Sequence, residues 1–186
     1  MGRPKASLDF GGVPLLTRII SELQRRFVDI VVVAGPGSRD LFEASRSEIK
    51  IVRDETAFQG PADALRRGLD AVANQVAFAC SCDLPLLDSD VAAEIVAMLG
   101  DFDAAIPVVG DKFQPLHAVY RKRCAGALDT LAARGESRLS AIADAVNTRR
   151  VDERELKTID PQLRSFFNVN TPDDYRRALE MAGLAG

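Results

Sequence analysis

A single α/β domain built on a mostly parallel sheet is what this sequence predicts, and three observations carry the prediction. Short apolar, β-branched runs alternate with amphipathic stretches along most of the chain, the pattern of βαβ units with right-handed crossovers. The 186 residues allow one domain with modest elaboration, at about 150 residues per domain. Hydrophobic residues at 47% and charged residues at 27% are ordinary globular usage and argue against a disordered chain.

The elements follow in order. From Val13 to Phe27, Leu15, Leu16, Ile19, Ile20, Leu23 and Phe27 share one stripe, with Arg18, Glu22, Arg25 and Arg26 off it, so an amphipathic helix is expected. Asp29 to Ala34 is a continuous apolar strand suited to a sheet covered on both faces. Ile49 to Asp54 reads as a second strand ending in a carboxylate, and Pro61 opens a helix continued by Leu65, Leu69 and Val72. Val76 to Cys80 is a third strand, and Asp88 caps a helix carrying Val91, Ile95, Val96 and Leu99. Asp103–Val109 and Pro115–Tyr120 read as strands around a Gly110-Asp111 turn. Residues 121–145 read as two helical pieces broken at Gly135, and Val146–Val151 as a short strand. Phe166–Asn170 reads as a last strand, leading to Thr171 as N-cap, Pro172 at the first helical position and two acids in the first turn.

Composition narrows the function. A net charge of −3 gives no general field for attracting nucleic acid. Three cysteines, two of them Cys80 and Cys82, make no disulfide framework and fit a reducing cytoplasm. No apolar run approaches the ~20 residues of a membrane span.

In open α/β sheets ligands bind beyond the carboxyl ends of strands, where Asp54, Cys82-Asp83 and Asn168-x-Asn170 fall. Asp83, held before Leu84-Pro85, suits either a Mg²⁺ ligand or a turn cap. Asn168 and Asn170 alternate, so one face of a strand would carry both, for a metal-bound phosphate or for capping the next helix. Gly2, Arg3 and Lys5 form a basic, glycine-containing start that suits a polyphosphate or a solvated tail. Gly60-Pro61 before a helix offers free N–H groups to an anion, or is only a loop. His117, the only histidine, lacks partners for a hydrolytic triad and reads as a strand residue with a satisfied hydrogen bond. Cys80 reads as core filler.

Together, Gly2-Arg3-x-Lys5, Gly11-Gly12-x-Pro14-Leu15-Leu16, Asp54, Gly60-Pro61, Cys82-Asp83-Leu84-Pro85, Gln114-Pro115-Leu116-His117-Ala118-x-Tyr120 and Phe167-Asn168-Val169-Asn170-Thr171-Pro172-Asp173-Asp174 resemble the molybdenum cofactor guanylyltransferase family over nearly the whole chain. The resemblance implies a Rossmann-like three-layer sandwich akin to the nucleotide-diphospho-sugar transferases, spanning 1–186 as one domain. It implies transfer of GMP from GTP to molybdopterin with release of pyrophosphate, dependent on Mg²⁺, in the cytoplasm. Lys5 and Asp83 would be catalytic, with Asp83 on the metal. Gly2, Arg3, Lys5, Asp54, Gly60, Pro61 and Asp83 would hold GTP. Gln114, Pro115, Leu116, His117, Asn168 and Asn170 would face molybdopterin. Further partners would come from molybdoenzyme-delivery or other cofactor-biosynthesis proteins, with no nucleic acid and no membrane.

Two positions depart from the family pattern: Ala34, where relatives often carry Asn, and Asp63 in Ala62-Asp63-Ala64-Leu65, whose charge would repel phosphate. Relatives also begin with an apolar strand and a Leu-Ala-Gly-Gly loop ahead of the Met-Gly-Arg stretch. The sequence therefore leads to an expectation of roughly 10–25 further N-terminal residues, and of weak GTP binding and marginal stability for the 186-residue chain. Rival readings are a molybdopterin cytidylyltransferase, another sugar- or alcohol-phosphate nucleotidyltransferase, and a non-catalytic cofactor-delivery protein.

Overall fold

A computed structural model describes residues 5–35, 49–53 and 60–184. Gly2, Arg3 and Asp54 lie outside the described residues. Seven strands and seven helices are described: α1 (Leu15–Leu23), β1 (Ile30–Ala34), β2 (Ile49–Arg53), α2 (Pro61–Ala71), β3 (Val76–Cys80), α3 (Ser89–Ala97), β4 (Ala104–Val109), β5 (Lys112–Phe113), β6 (His117–Arg121), α4 (Cys124–Ala133), α5 (Ile142–Ala145), β7 (Thr148–Val151), α6 (Glu153–Leu156) and α7 (Pro172–Met181). None of these helices is long and apolar enough to cross a membrane.

The expected mostly parallel sheet is corrected. β1 and β2 pair in parallel as a two-stranded piece. The five-stranded sheet holds three antiparallel pairings, β3–β6, β6–β4 and β4–β5, and one parallel pairing, β4–β7. These pairings make β3, β4 and β7 run in one direction and set β6, between β3 and β4, and the short β5 against them. Crossover helices do return the chain in parallel, as the alternation of elements requires. The reversal comes from the short connection after β4, which brings the chain straight back as β6 rather than through a helix.

Side-chain alternation along β4 and β6 builds the layers. Ala104, Ile106, Ala118 and Tyr120 face α2, α4 and α5, packing with Leu65, Leu69, Leu128 and Ile142. Ala105 and Val119 face the other way, with Val151, Val91, Ile95, Leu99 and Leu156. The sheet is therefore covered on both faces. A third cluster joins α1 to α7 through Phe10, Leu15, Ile19, Val169 and Ala178.

Two local features differ from expectation. Residues 167–170 are not a strand; they follow a 3-10 turn at Arg164–Phe166, entered through Leu163 in the left-handed region at φ 51°. The predicted start of the next helix is present: Thr171 caps α7, and the Asp174 carboxylate accepts from the Thr171 backbone N–H in a capping box. α6, which periodicity alone did not reveal, begins with a second capping box, Asp152 with Glu155.

The β4–β6 ladder ends at Ala105 opposite Val119. Two residues on, Pro107 has no N–H to extend a ladder, and the outer part of β4 pairs with β5 instead. The returning chain, residues 114–116, folds over the end of β3. The Tyr120 hydroxyl donates to the Pro115 carbonyl at 2.8 Å, and Ser81 N–H donates to the Leu116 carbonyl at 3.1 Å.

Candidate functional site

β3 is a run of apolar residues that ends at Cys80, and the next residues turn because Leu84-Pro85 stops the strand. This geometry holds Asp83 at a strand end, with 19% of its side chain exposed. Lys5 Nζ donates to Asp83 Oδ2 at 3.0 Å and to Asn170 Oδ1 at 2.6 Å. The Ser81 hydroxyl donates to the other carboxylate oxygen, Oδ1. Val169 N–H donates to the Asp83 carbonyl at 2.9 Å, stitching the Asn168–Asn170 segment to the β3 end. Lys5, Asp83 and Asn170 thus meet at one point although they are far apart in sequence.

Beside this point lies a cleft of about 250 Å³ lined by Pro61, Ser81, Asp83, Leu84, Gln114, Pro115, Leu116, His117, Leu139, Phe166 and Asn168. It gathers Asp83, Pro61, Gln114, Pro115, Leu116, His117 and Asn168 of the residues singled out from sequence. Asn170 stands instead on Lys5, while Asn168 Nδ2 donates back to the Phe166 carbonyl at 3.2 Å. Gly60 precedes α2 at φ 101°, a left-handed conformation that favours glycine. Asp63 is held within α2 by Arg67 Nε at 2.7 Å, which offsets the charge that the sequence set against phosphate. Ala34 is buried at the end of β1.

His117 begins β6 and is 1% exposed. Its ring lies 4.2 Å from the Phe166 centroid and 5.2 Å from that of Phe78. Burial pushes its pKa down to about 3, so it is neutral at physiological pH. Nε2 has a partner, Ser165 Oγ at 3.4 Å, so the strand histidine carries the hydrogen bond expected of it; Nδ1 is buried with no partner among the described residues. Burial also pushes the Cys80 thiol up to about 12 and raises that of Cys82.

Sequence reasoning passed over Ser81, Ser165, Phe166 and Leu139. Ser81 stands directly before the Cys82-Asp83-Leu84-Pro85 motif, two residues from Asp83. Ser165 carries no periodic signal, because its burial depends on the turn it sits in.

A family model described as the MobA-like NTP transferase domain matches residues 1–151. The probable molybdenum cofactor guanylyltransferase of Mycobacterium avium (strain 104) is 34% identical over 95% of this chain and 87% of its own length. The protein of the same description from Pelotomaculum thermopropionicum is 28% identical over 98% of this chain and 87% of its own. Among solved structures, molybdopterin-guanine dinucleotide biosynthesis protein A from Archaeoglobus fulgidus superposes with a TM-score of 0.82 at 24% identity, over 98% of this chain and 92% of that one. The 2-C-methyl-D-erythritol 4-phosphate cytidylyltransferase of Thermus thermophilus shares the fold at 17% identity and a TM-score of 0.73, over 97% and 94%. With a cation, a strand-end carboxylate and a carboxamide converging beside a cleft, and the family model covering most of its length, this chain belongs to the MobA-like NTP transferase family and is a nucleotidyltransferase.

Proposed function

We infer that the chain transfers GMP from GTP to molybdopterin, with Mg²⁺ and with release of pyrophosphate. The observation that carries this reading is the meeting of Lys5, Asp83 and Asn170 at the end of β3. The relatives described as guanylyltransferases support guanine as the base and molybdopterin as the acceptor. In this reading a phosphate oxygen of molybdopterin attacks the α-phosphorus of GTP. The bond from that phosphorus to the oxygen bridging to the β-phosphorus breaks, and pyrophosphate leaves. The attacking group is already a phosphate, so no general base is needed, and positioning plus charge neutralisation suffice.

Lys5 holds the triphosphate and Asp83 is the residue that would hold Mg²⁺. Among the described residues no group of three or more His, Cys, Asp or Glu side chains is placed to hold a metal. A single carboxylate flanked by the Ser81 hydroxyl and the Asn170 amide oxygen nevertheless fits Mg²⁺, which is commonly held by one or two carboxylates plus substrate phosphates. When bound, the ion supplies neutralisation of phosphate charge. Gly2, Arg3, Asp54, Gly60 and Pro61 complete the nucleotide side, and Gln114 to His117 with Asn168 take the molybdopterin side. Asn170, beside Lys5, serves where the phosphates of the two substrates meet.

Pyrophosphate release tests the reading, measured with each of the four nucleotides, with and without Mg²⁺ and molybdopterin. GTP alone should support Mg²⁺-dependent release. Preference for CTP overturns the guanine assignment, and no release with any nucleotide overturns the reading.

A further inference from the structure

Ser165 joins three parts of the molecule. Its backbone N–H donates to Asp160 Oδ2 at 2.8 Å, its hydroxyl oxygen accepts from the Asp88 N–H at 3.1 Å, and the same oxygen lies 3.4 Å from His117 Nε2. Both Ser165 and His117 are 1% exposed. One lone pair of the hydroxyl is taken by Asp88, and among the described residues its hydrogen has no acceptor other than His117 Nε2. If the hydroxyl donates to Nε2, the ring proton sits on Nδ1 and a single donor, Nδ1–H, is left unmet. If Nε2 carries the proton, the Ser165 hydrogen and the Nδ1 lone pair are both orphaned. The first arrangement leaves one buried polar group unpaired and the second leaves two, so the first is favoured.

We propose that Ser165 is a positioning residue that fixes His117 as its Nδ1–H tautomer, and that this N–H donates to an uncharged ring acceptor, a carbonyl oxygen or ring nitrogen, of the acceptor substrate. The ligand part of this proposal rests on the reading given under Proposed function. Its basis is the unpartnered, fully buried Nδ1 of a residue that lines the cleft. The chemistry of the lining selects an uncharged group. Pro61, Leu84, Pro115, Leu116, Leu139 and Phe166 are apolar, and the one charged residue of the lining, Asp83, is negative. A phosphate at His117 would meet a neutral donor and no cation, because no basic residue lines the cleft. A flat heterocycle gains instead from the Phe166 face and from one directional N–H.

The single histidine makes the test clean, since labelled histidine gives one imidazole spectrum. Long-range proton–nitrogen correlation on the full chain should show the Nδ1–H tautomer in the wild type and a mixture in Ser165→Ala, with Ser165→Thr restoring the wild-type pattern. Addition of 6-(hydroxymethyl)pterin should shift Nδ1 and its proton, and pyrophosphate should leave them unmoved. In transfer assays Ser165→Ala and His117→Leu should each raise the molybdopterin KM about tenfold, with no matching rise in the GTP KM. His117→Asn, whose amide nitrogen stands near the Nδ1 position, should recover most of the loss. An Nε2–H wild type, or a response to pyrophosphate and not to the pterin, overturns the proposal. The wild-type spectrum needs no variant to fold and no turnover, so absence of transfer with an intact pterin response counts against the function reading alone.

Discussion

The site has a polar end beside the cleft and an aromatic end inside it, and the two are built on opposite principles. Beside the cleft the side chains of Lys5 and Asp83 are 36% and 19% exposed, and the contact between them is an ion pair. Inside it, His117 packs against Phe78 and Phe166, and no basic residue stands in the lining. A partly exposed ion pair contributes little to stability, so other charged groups can exchange for it cheaply. The buried aromatic end stabilises the fold through packing and cannot rearrange without cost. Exchangeable charge and fixed packing therefore stand side by side, and substitutions should separate them.

The largest effect is expected at the polar end. Asp83→Asn should abolish Mg²⁺-dependent transfer, by a thousandfold or more, with the circular-dichroism spectrum unchanged. Wild-type turnover at limiting Mg²⁺ would refute the metal assignment. Phe166→Ala, at the opposite end, should lower unfolding free energy by about 3–5 kcal/mol in urea titration. A loss under 1 kcal/mol would show that this end is not the stabilising one. Lys5→Met keeps the aliphatic stem and removes the cation, and should reduce kcat/KM for the nucleotide by about a hundredfold while the urea midpoint stays in place. A destabilised Lys5→Met would blur the division between the ends.

A further effect is in pH. The folded pKa of His117 is depressed to about 3 from an ordinary 6.5, so between those values the unfolded chain binds a proton that the native chain does not. Stability contributed by the neutral ring is complete above about 6.5 and falls on acidification toward 3, by at most about 1.4 kcal/mol per pH unit. Comparing wild type with His117→Leu over that window isolates the contribution. Parallel stability curves would mean that the histidine is not buried in its neutral form.

The placement of Asp83 was legible because an apolar run followed by a carboxylate and a proline locates a side chain with little help from the rest of the fold. Asp83 was readable for this reason, and the N-cap at Thr171 for a similar local one. The direction of β6 was not. Alternation with period two is the same whichever way a strand runs, and the reversal depends on the connection after Val109. The strand expected at Phe166–Asn170 fails for a related reason. Its alternation is real, but Leu163 turns left-handed and the 3-10 turn buries Ser165 and Phe166 before any ladder can form. The Asp63 departure resolves in spacing that was visible, since Arg66 and Arg67 stand three and four residues on and reach its carboxylate. The Ser165–His117 contact joins residues 48 apart and has no local signature at all.

The reversed strand also orders assembly in time. β4 and β6 are joined by residues 110–116 alone, so their pairing closes a short loop. β3 pairs with β6, from Val76 opposite Arg121 to Cys80 opposite His117, and so spans a far longer stretch of chain. It cannot take its place beside β4, because β6 must first fill the position between them. The strand that presents Asp83 is thus the one whose ladder waits for another pair to form, and its amides should gain protection from hydrogen exchange after those of β4 and β6 during refolding. The end of β3 that presents Asp83 is then among the last parts of the sheet to exist.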